Sequence, residues 1–179
     1  MIGVLVSGNG SNLQALLDDG LPVVAVASNR PGIRALERAR EADVPTCVFS
    51  LDRYADRPAR DAAMADWLES RGVELVVLAG YMHLLTEPFL DRFPGRVVNV
   101  HPSLLPEFPG AHALDDALAA NAETTGVSVH FVDEGLDTGP VIAQEEVAVE
   151  PRETLEERIH AVEHRLLPKV VRELCLARS

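Results

Sequence analysis

Apolar residues in this chain fall into two alternating patterns. Ile2–Val6, Leu21–Ala27, Thr46–Phe49, Leu75–Ala79 and Val97–His101 are short runs dominated by Val, Ile, Leu and Ala, bounded by Gly, Pro, Asn, Asp or Ser. Runs of that length and composition predict strands covered on both faces. Between them, Ser11–Leu17, Ile33–Ala42, Ala59–Arg71, Thr86–Phe93 and Leu114–Ala120 carry apolar residues at helical spacing. Regular strand–helix alternation predicts an α/β fold, a Rossmann-like, mostly parallel twisted sheet with helices on both faces. Two further strands, Val127–Val132 and Val141–Val149, follow with no helix between them, so an antiparallel edge hairpin is expected near the C-terminus.

The closing segment is the longest amphipathic stretch. Leu155, Ile159, Val162, Leu166, Val170 and Leu174 recur every three or four residues, and Thr154 with Glu157 fits a capping box. Pro168 interrupts this stripe and is expected to kink or break the helix, because it removes one backbone donor. Glu163 and His164, just before it, are candidates to face a site at the end of the sheet.

Composition narrows the class. With 179 residues and 47% hydrophobic content, the chain suits one domain with a substantial core. Sixteen basic and 28 acidic residues leave a formal charge of −12, which disfavours nucleic acid or an anionic membrane as partner. The N-terminal run meets a glycine turn after a few residues and has no basic flank, so it is expected to be a buried strand rather than a signal peptide. No stretch approaches the about 18 apolar residues a membrane span needs. Cys47 and Cys175 have neither metal nor disulfide spacing and read as reduced core thiols of a cytoplasmic protein.

Three turns carry candidate chemistry. Ser7-Gly8-Asn9-Gly10-Ser11-Asn12 lies between the first strand and first helix, where glycines admit a ligand to the backbone and helix-start amides attract an anion. Leu13 stands where a dinucleotide fingerprint needs glycine, and the second strand ends in Ser28-Asn29 instead of an acid, so a small phosphorylated substrate fits better than a dinucleotide. Gly80-Tyr81-Met82-His83-Leu84-Leu85 follows a strongly apolar strand and suits the wall of a flat pocket. Asn99 and His101 sit two apart at the end of their strand and so share a face. Three prolines between residues 102 and 109 then hold the next loop out of any helix. The acidic turn Asp133-Glu134-Gly135-Leu136-Asp137 joins the last two strands, and Asp137 is placed to reach the His101 imidazole and stabilise its charged form. No Ser or Cys nucleophile accompanies this Asn, His and Asp set.

The motifs GNGSNL, AGYMHLL, NVHPSLLPEFPGAH, SVHFVDEGLDTGPVI and the EH…LP of the last helix together resemble the phosphoribosylglycinamide formyltransferases, a branch of the formyltetrahydrofolate-using family. The likeness covers nearly the whole chain. HPSLLP alone points only to the wider family, and the phosphate loop and PGAH carry the narrower resemblance. It implies Asn99, His101 and Asp137 as the catalytic set, and Gly10, Ser11, Asn12 and Glu163 as contacts to the phosphoribosyl substrate. It also implies that Arg57, Met82, His83, Leu84 and Leu85, with Asn99 and the loop Asp133, Glu134, Gly135, Leu136 and Asp137, lie around the folate.

The implied reaction is transfer of the formyl group of 10-formyltetrahydrofolate, as co-substrate and without a metal, to the amine of glycinamide ribonucleotide in purine biosynthesis. A single formyltransferase domain is implied, with a phosphate-binding part over about residues 1–95 and a folate and catalytic part over about 96–179. The expected partners are these two small molecules, with a homodimer left open and neither nucleic acid nor membrane. Three other readings compete with it. A formyltetrahydrofolate hydrolase would keep Asn99, His101 and Asp137 but has no need of the phosphate loop. A transfer-RNA formyltransferase would want a basic surface. A non-catalytic sugar-phosphate binding module would need the phosphate loop alone.

Overall fold

The computed structural model describes residues 1–177. Its elements run β1 (Ile2–Val6), α1 (Ser11–Asp18), β2 (Val23–Ser28), α2 (Arg34–Glu41), β3 (Thr46–Val48), α3 (Arg57–Ser70), β4 (Leu75–Leu78), α4 (Glu87–Leu90), β5 (Val97–His101), α5 (Ala113–Ala119), β6 (Thr124–Phe131), β7 (Val141–Ala148) and α6 (Leu155–Leu176). By internal contacts the chain divides into two compact units, Met1–Val98 and Asn99–Ser179.

In the first unit β1 pairs in parallel with β2 on one side and β4 on the other, and β3 extends β2 in parallel. The strand order is β3-β2-β1-β4, and Val76 N donates to Arg96 O (2.8 Å) where the chain enters β5. Every residue of β1 and β4 is buried, as expected of strands covered on both faces. Gly3 belongs to that packing, since a Cβ there would lie 2.9 Å from a Val73 methyl. Helix α3 starts two residues earlier than its apolar pattern suggests. Asp56 accepts from Ala59 N (2.8 Å) and Pro58 occupies the first turn, where a missing N–H costs nothing.

In the second unit β6 and β7 form the expected antiparallel hairpin, from Thr124 opposite Ala148 to His130 opposite Val141. The register shifts between Val129 and His130, where β7 passes from Ala143 to Val141 and leaves Ile142 as the extra residue. Helix α6 differs from expectation twice. It runs unbroken through Pro168, whose ring is buried. The Thr154 side chain makes no cap bond, because a 3-10 turn over Arg152–Thr154 already holds Thr154 at φ −110°, ψ 4° instead of the extended geometry a capping box needs. Its hydroxyl instead meets Pro151 O (3.3 Å) and Arg158 Nε (3.1 Å), and the Arg158 guanidinium also donates to Val149 O (3.1 Å) and Pro151 O (2.8 Å). Cys47 and Cys175 are half-buried thiols, not the fully buried core residues expected. Among the described residues no helix is long and apolar enough to cross a membrane.

Gly126 on β6 is the tightest point under the proline-rich loop. A Cβ there would lie 2.2 Å from Glu145 O and 2.5 Å from Leu104 Cδ2. Gly126→Ala should therefore destabilise the fold by about 1–3 kcal/mol, the usual cost of overpacking, measured as a lower midpoint in urea at unchanged m.

Candidate active site

Within the first unit, the turn after β1 is shaped by packing as much as by any ligand. Gly10 has φ +79° and precedes α1 in left-handed backbone, and a Cβ on it would sit 2.6 Å from Ala35 Cβ. Glycine is thus required there by α2 alone. Arg38 of α2 donates to Asn9 O (2.9 Å) and Asn9 Oδ1 (3.0 Å), so the turn is fastened from below. Ser11 and Asn12 open α1 and are half-buried.

The turn after β4 exposes Met82 (63%) and Leu84 (48%), whereas Leu85 packs into the core. Arg57, at the first position of α3, is half-buried. His83 is held by two side chains, its Nδ1 3.0 Å from Arg60 Nη1 and its Nε2 3.3 Å from the Asn29 amide. Burial is the main cause that moves the His83 pKa below the usual histidine value, with Arg60 and Arg57 acting in the same direction.

In the second unit Asn99 and His101 lie on β5, His101 buried and Asn99 half-buried. They are linked through two residues of the β6–β7 hairpin: Asn99 Nδ2 is 3.2 Å from His130 Nε2, His130 Nε2 is 3.6 Å from Asp137 Oδ1, and Asp137 Oδ2 is 3.4 Å from His101 Nδ1. His101 Nε2 donates to Phe108 O (2.8 Å) and His130 Nδ1 to Phe131 O (2.8 Å), which fixes both rings. Asp137 also accepts from Gly110 N (2.8 Å) and sits at φ +54°, a left-handed conformation uncommon outside glycine. Burial pushes its carboxyl pKa up, but the His130 hydrogen bond, the Gly110 amide and the charges on His101 and His130 outweigh it, and the net shift is downward.

The loop between these groups is built on Ser128. Its hydroxyl donates to Ser103 O (2.6 Å) and accepts from Leu105 N (3.0 Å) and Gln144 Nε2 (2.8 Å), while Gln144 Nε2 also reaches Leu105 O (2.9 Å). Asp133 closes its own turn by accepting from Gly135 N (3.0 Å) and Thr138 Oγ1 (2.6 Å). Glu134 is exposed, and Leu136 is 50% exposed. Glu163 lies buried on α6.

Sequence reasoning missed His130, Asn29, Arg60 and Asp61. His130 was legible from alternation, since it stands two residues after Ser128 and shares its face of β6. Arg60 and Asp61 were legible from helical period, because each lies four residues before a buried position, Met64 and Ala65, with Leu68 beyond. Among the described residues no three His, Cys, Asp or Glu side chains group as metal ligands.

The formyl transferase family matches residues 1–171. The phosphoribosylglycinamide formyltransferase of Mycobacterium tuberculosis is 48% identical over 182 residues, 96% of this chain and 83% of that protein. The trifunctional purine biosynthetic protein adenosine-3 of Drosophila melanogaster is 44% identical over 181 residues, and this chain spans 13% of its length. The solved structure of glycinamide ribonucleotide transformylase 1 from Symbiobacterium toebii superposes at a TM-score of 0.96 with 45% identity, covering 99% of this chain and 88% of that one.

The Asp137 environment sets an acid limit. A carboxyl whose folded pKa is depressed contributes stability that is present above the unfolded value and lost as pH falls through the folded one. Asp137→Asn should therefore be less stable than the parent at pH 7, and the gap in melting temperature should close below the ordinary aspartate value of 3.8. A gap that stays constant from pH 7 to pH 2.5 would assign the loss to packing.

Proposed function

Because this chain belongs to the formyl transferase family, we propose that it transfers the formyl group of 10-formyltetrahydrofolate to the amine of N1-(5-phosphoribosyl)glycinamide, a step of purine biosynthesis named for its relatives. The observation that carries this reading is the linked set Asn99, His130, Asp137 and His101, two buried imidazoles on one carboxylate with an amide against one of them and no Ser or Cys nucleophile among them. Such a set suits attack by the substrate's own amine.

In that reading the acceptor amine attacks the formyl carbon, and negative charge develops on the formyl oxygen. The Asn99 amide and the charged His101 ring stabilise that oxygen, while Asp137 balances the imidazolium. Asp137 also directs the proton lost by the amine toward the departing folate nitrogen, through His101 or water. His130, in contact with both Asn99 and Asp137, orients the two without meeting the reacting atoms.

Gly10, Ser11, Asn12 and Glu163 bind the phosphoribosyl substrate, with helix-start amides of α1 directed at its phosphate. Arg57, Met82, His83, Leu84, Leu85 and the loop Asp133 to Asp137 bind the folate. The exposed Met82 and Leu84 fit a flat, partly apolar co-substrate. Residues 1–179 act as one formyltransferase domain, phosphate binding resting in about 1–95 and catalysis in about 96–179. The two substrates are its partners, together with a second copy of itself, and the cytoplasm is its compartment, as suits two unbridged thiols.

Purified protein should consume 10-formyltetrahydrofolate only when glycinamide ribonucleotide is present. Turnover without the acceptor would replace this reading by hydrolysis. Asn99→Ala should lower kcat by roughly 10²–10³-fold, as for loss of one oxyanion donor, with both KM values little changed. Near-parental turnover in that variant would move the oxyanion site elsewhere.

A further inference from the structure

Arg60 and Asp61 have no part in the chemistry above, yet both side chains are wholly buried at the start of α3 and pair at 2.7 Å (Arg60 Nε to Asp61 Oδ1). Each is directed at the turn after β4. Asp61 Oδ2 accepts from Thr86 N (2.9 Å) and Thr86 Oγ1 (2.8 Å), fixing the end of the turn. Arg60 Nη1 meets His83 Nδ1 at 3.0 Å in its middle.

A guanidinium only donates, so His83 Nδ1 must offer its lone pair and the ring hydrogen must lie on Nε2. Asn29 Nδ2 is placed 3.3 Å from Nε2 and Asn29 Oδ1 accepts from Ser7 Oγ (2.6 Å), and a hydrogen on Nε2 requires this amide to be turned over, its oxygen to His83 and its NH2 to Ser7. Ser7 Oγ also accepts from Met82 N (3.0 Å), which fixes the beginning of the turn. Three points of one exposed apolar turn are thereby tied to a buried ion pair and to Ser7, the first residue of the phosphate loop.

We propose that Arg60 and Asp61 are positioning residues for the formylfolate: the pair clamps residues 80–86 in the shape that presents Met82 and Leu84, and Arg60 locks His83 in its neutral, Nε2-protonated form. This rests on the reading that residues 82–85 meet the folate.

The groups facing His83 are Arg60, Asp61 and Arg57 from α3, Tyr81 of its own turn with ring centroids 6.0 Å apart, and Asn29 after β2. Tyr81 stays neutral, its hydroxyl pushed up to about 12 chiefly by burial. With Arg60 in place, protonating His83 breaks the Nδ1 bond and sets two cations side by side. With glutamine at position 60 it does neither.

The test is Arg60→Gln. NMR should show His83 titrating higher than in the parent, and fluorescence titration should show formylfolate binding weakened about tenfold below pH 6.5 and recovering toward pH 8. The KM for glycinamide ribonucleotide and the kcat at saturation should stay within about threefold. His83→Gln, which leaves the Arg60–Asp61 pair intact and so guards against misfolding, should weaken formylfolate binding without the pH dependence. An unmoved His83 titration, unchanged formylfolate affinity in both variants, or equal losses for the two substrates would overturn the proposal. A parent protein that binds no formylfolate would instead overturn the reading on which it rests.

Discussion

The Asp137 carboxylate is the acceptor on which the polar architecture of the second unit depends. It draws together a backbone amide at Gly110 and two imidazoles from different strands, His101 and His130. Burying a carboxylate is costly unless it is paired, and here the Gly110 N–H donates to it while the two imidazoles lie at 3.4 and 3.6 Å. Its backbone is left-handed, φ +54°, a conformation uncommon outside glycine. Gly139, two residues on, permits that turn because a Cβ there would lie 1.8 Å from Phe131 O.

The proline-rich loop after β5 is stiff for reasons beyond its prolines. Ser128 and Gln144 satisfy the backbone at Ser103 and Leu105, and the carbonyl of Phe108 is spent on His101. Loop, hairpin and imidazole therefore hold one another, so loss of any one partner leaves buried polar groups unsatisfied in the others. That interdependence gives the loop the precision of a sheet.

The strands were legible in the sequence because they are covered on both faces and read as apolar runs; β1 and β5 fall on their expected bounds to the residue. Asn99, His101 and Asp137 were legible because a strand end, a period of two and an acidic turn constrain where three side chains point. The remaining polar partners were legible only as inward-facing positions, because the role of each needs a tertiary contact for its meaning. His130 reads as one more strand residue until its contacts with Asn99 and Asp137 are known. Arg60 and Asp61 read as the solvated start of a helix, since charge at a helix end is ordinarily exposed, although their spacing from Met64 and Ala65 already set them on the inner face. Thr154 erred the other way. A sound capping pattern was overridden by the preceding 3-10 turn and by Arg158.

Each unit thus buries a charged cluster beneath a loop that the sequence marks as functional: Asp137 with two imidazoles in one, Arg60 with Asp61 and His83 in the other. A hydrophobic replacement of matching volume is often as stable as a buried ion pair or more so. Stability alone gives no reason to keep charges at these depths, whereas geometry does, because apolar packing fixes volume but not the direction of a lone pair. Arg60 sets which nitrogen of His83 carries its hydrogen, and the Phe108 carbonyl holds the Nε2 hydrogen of His101 so that Nδ1 turns to Asp137. Both devices orient an imidazole with a partner that can only donate or only accept.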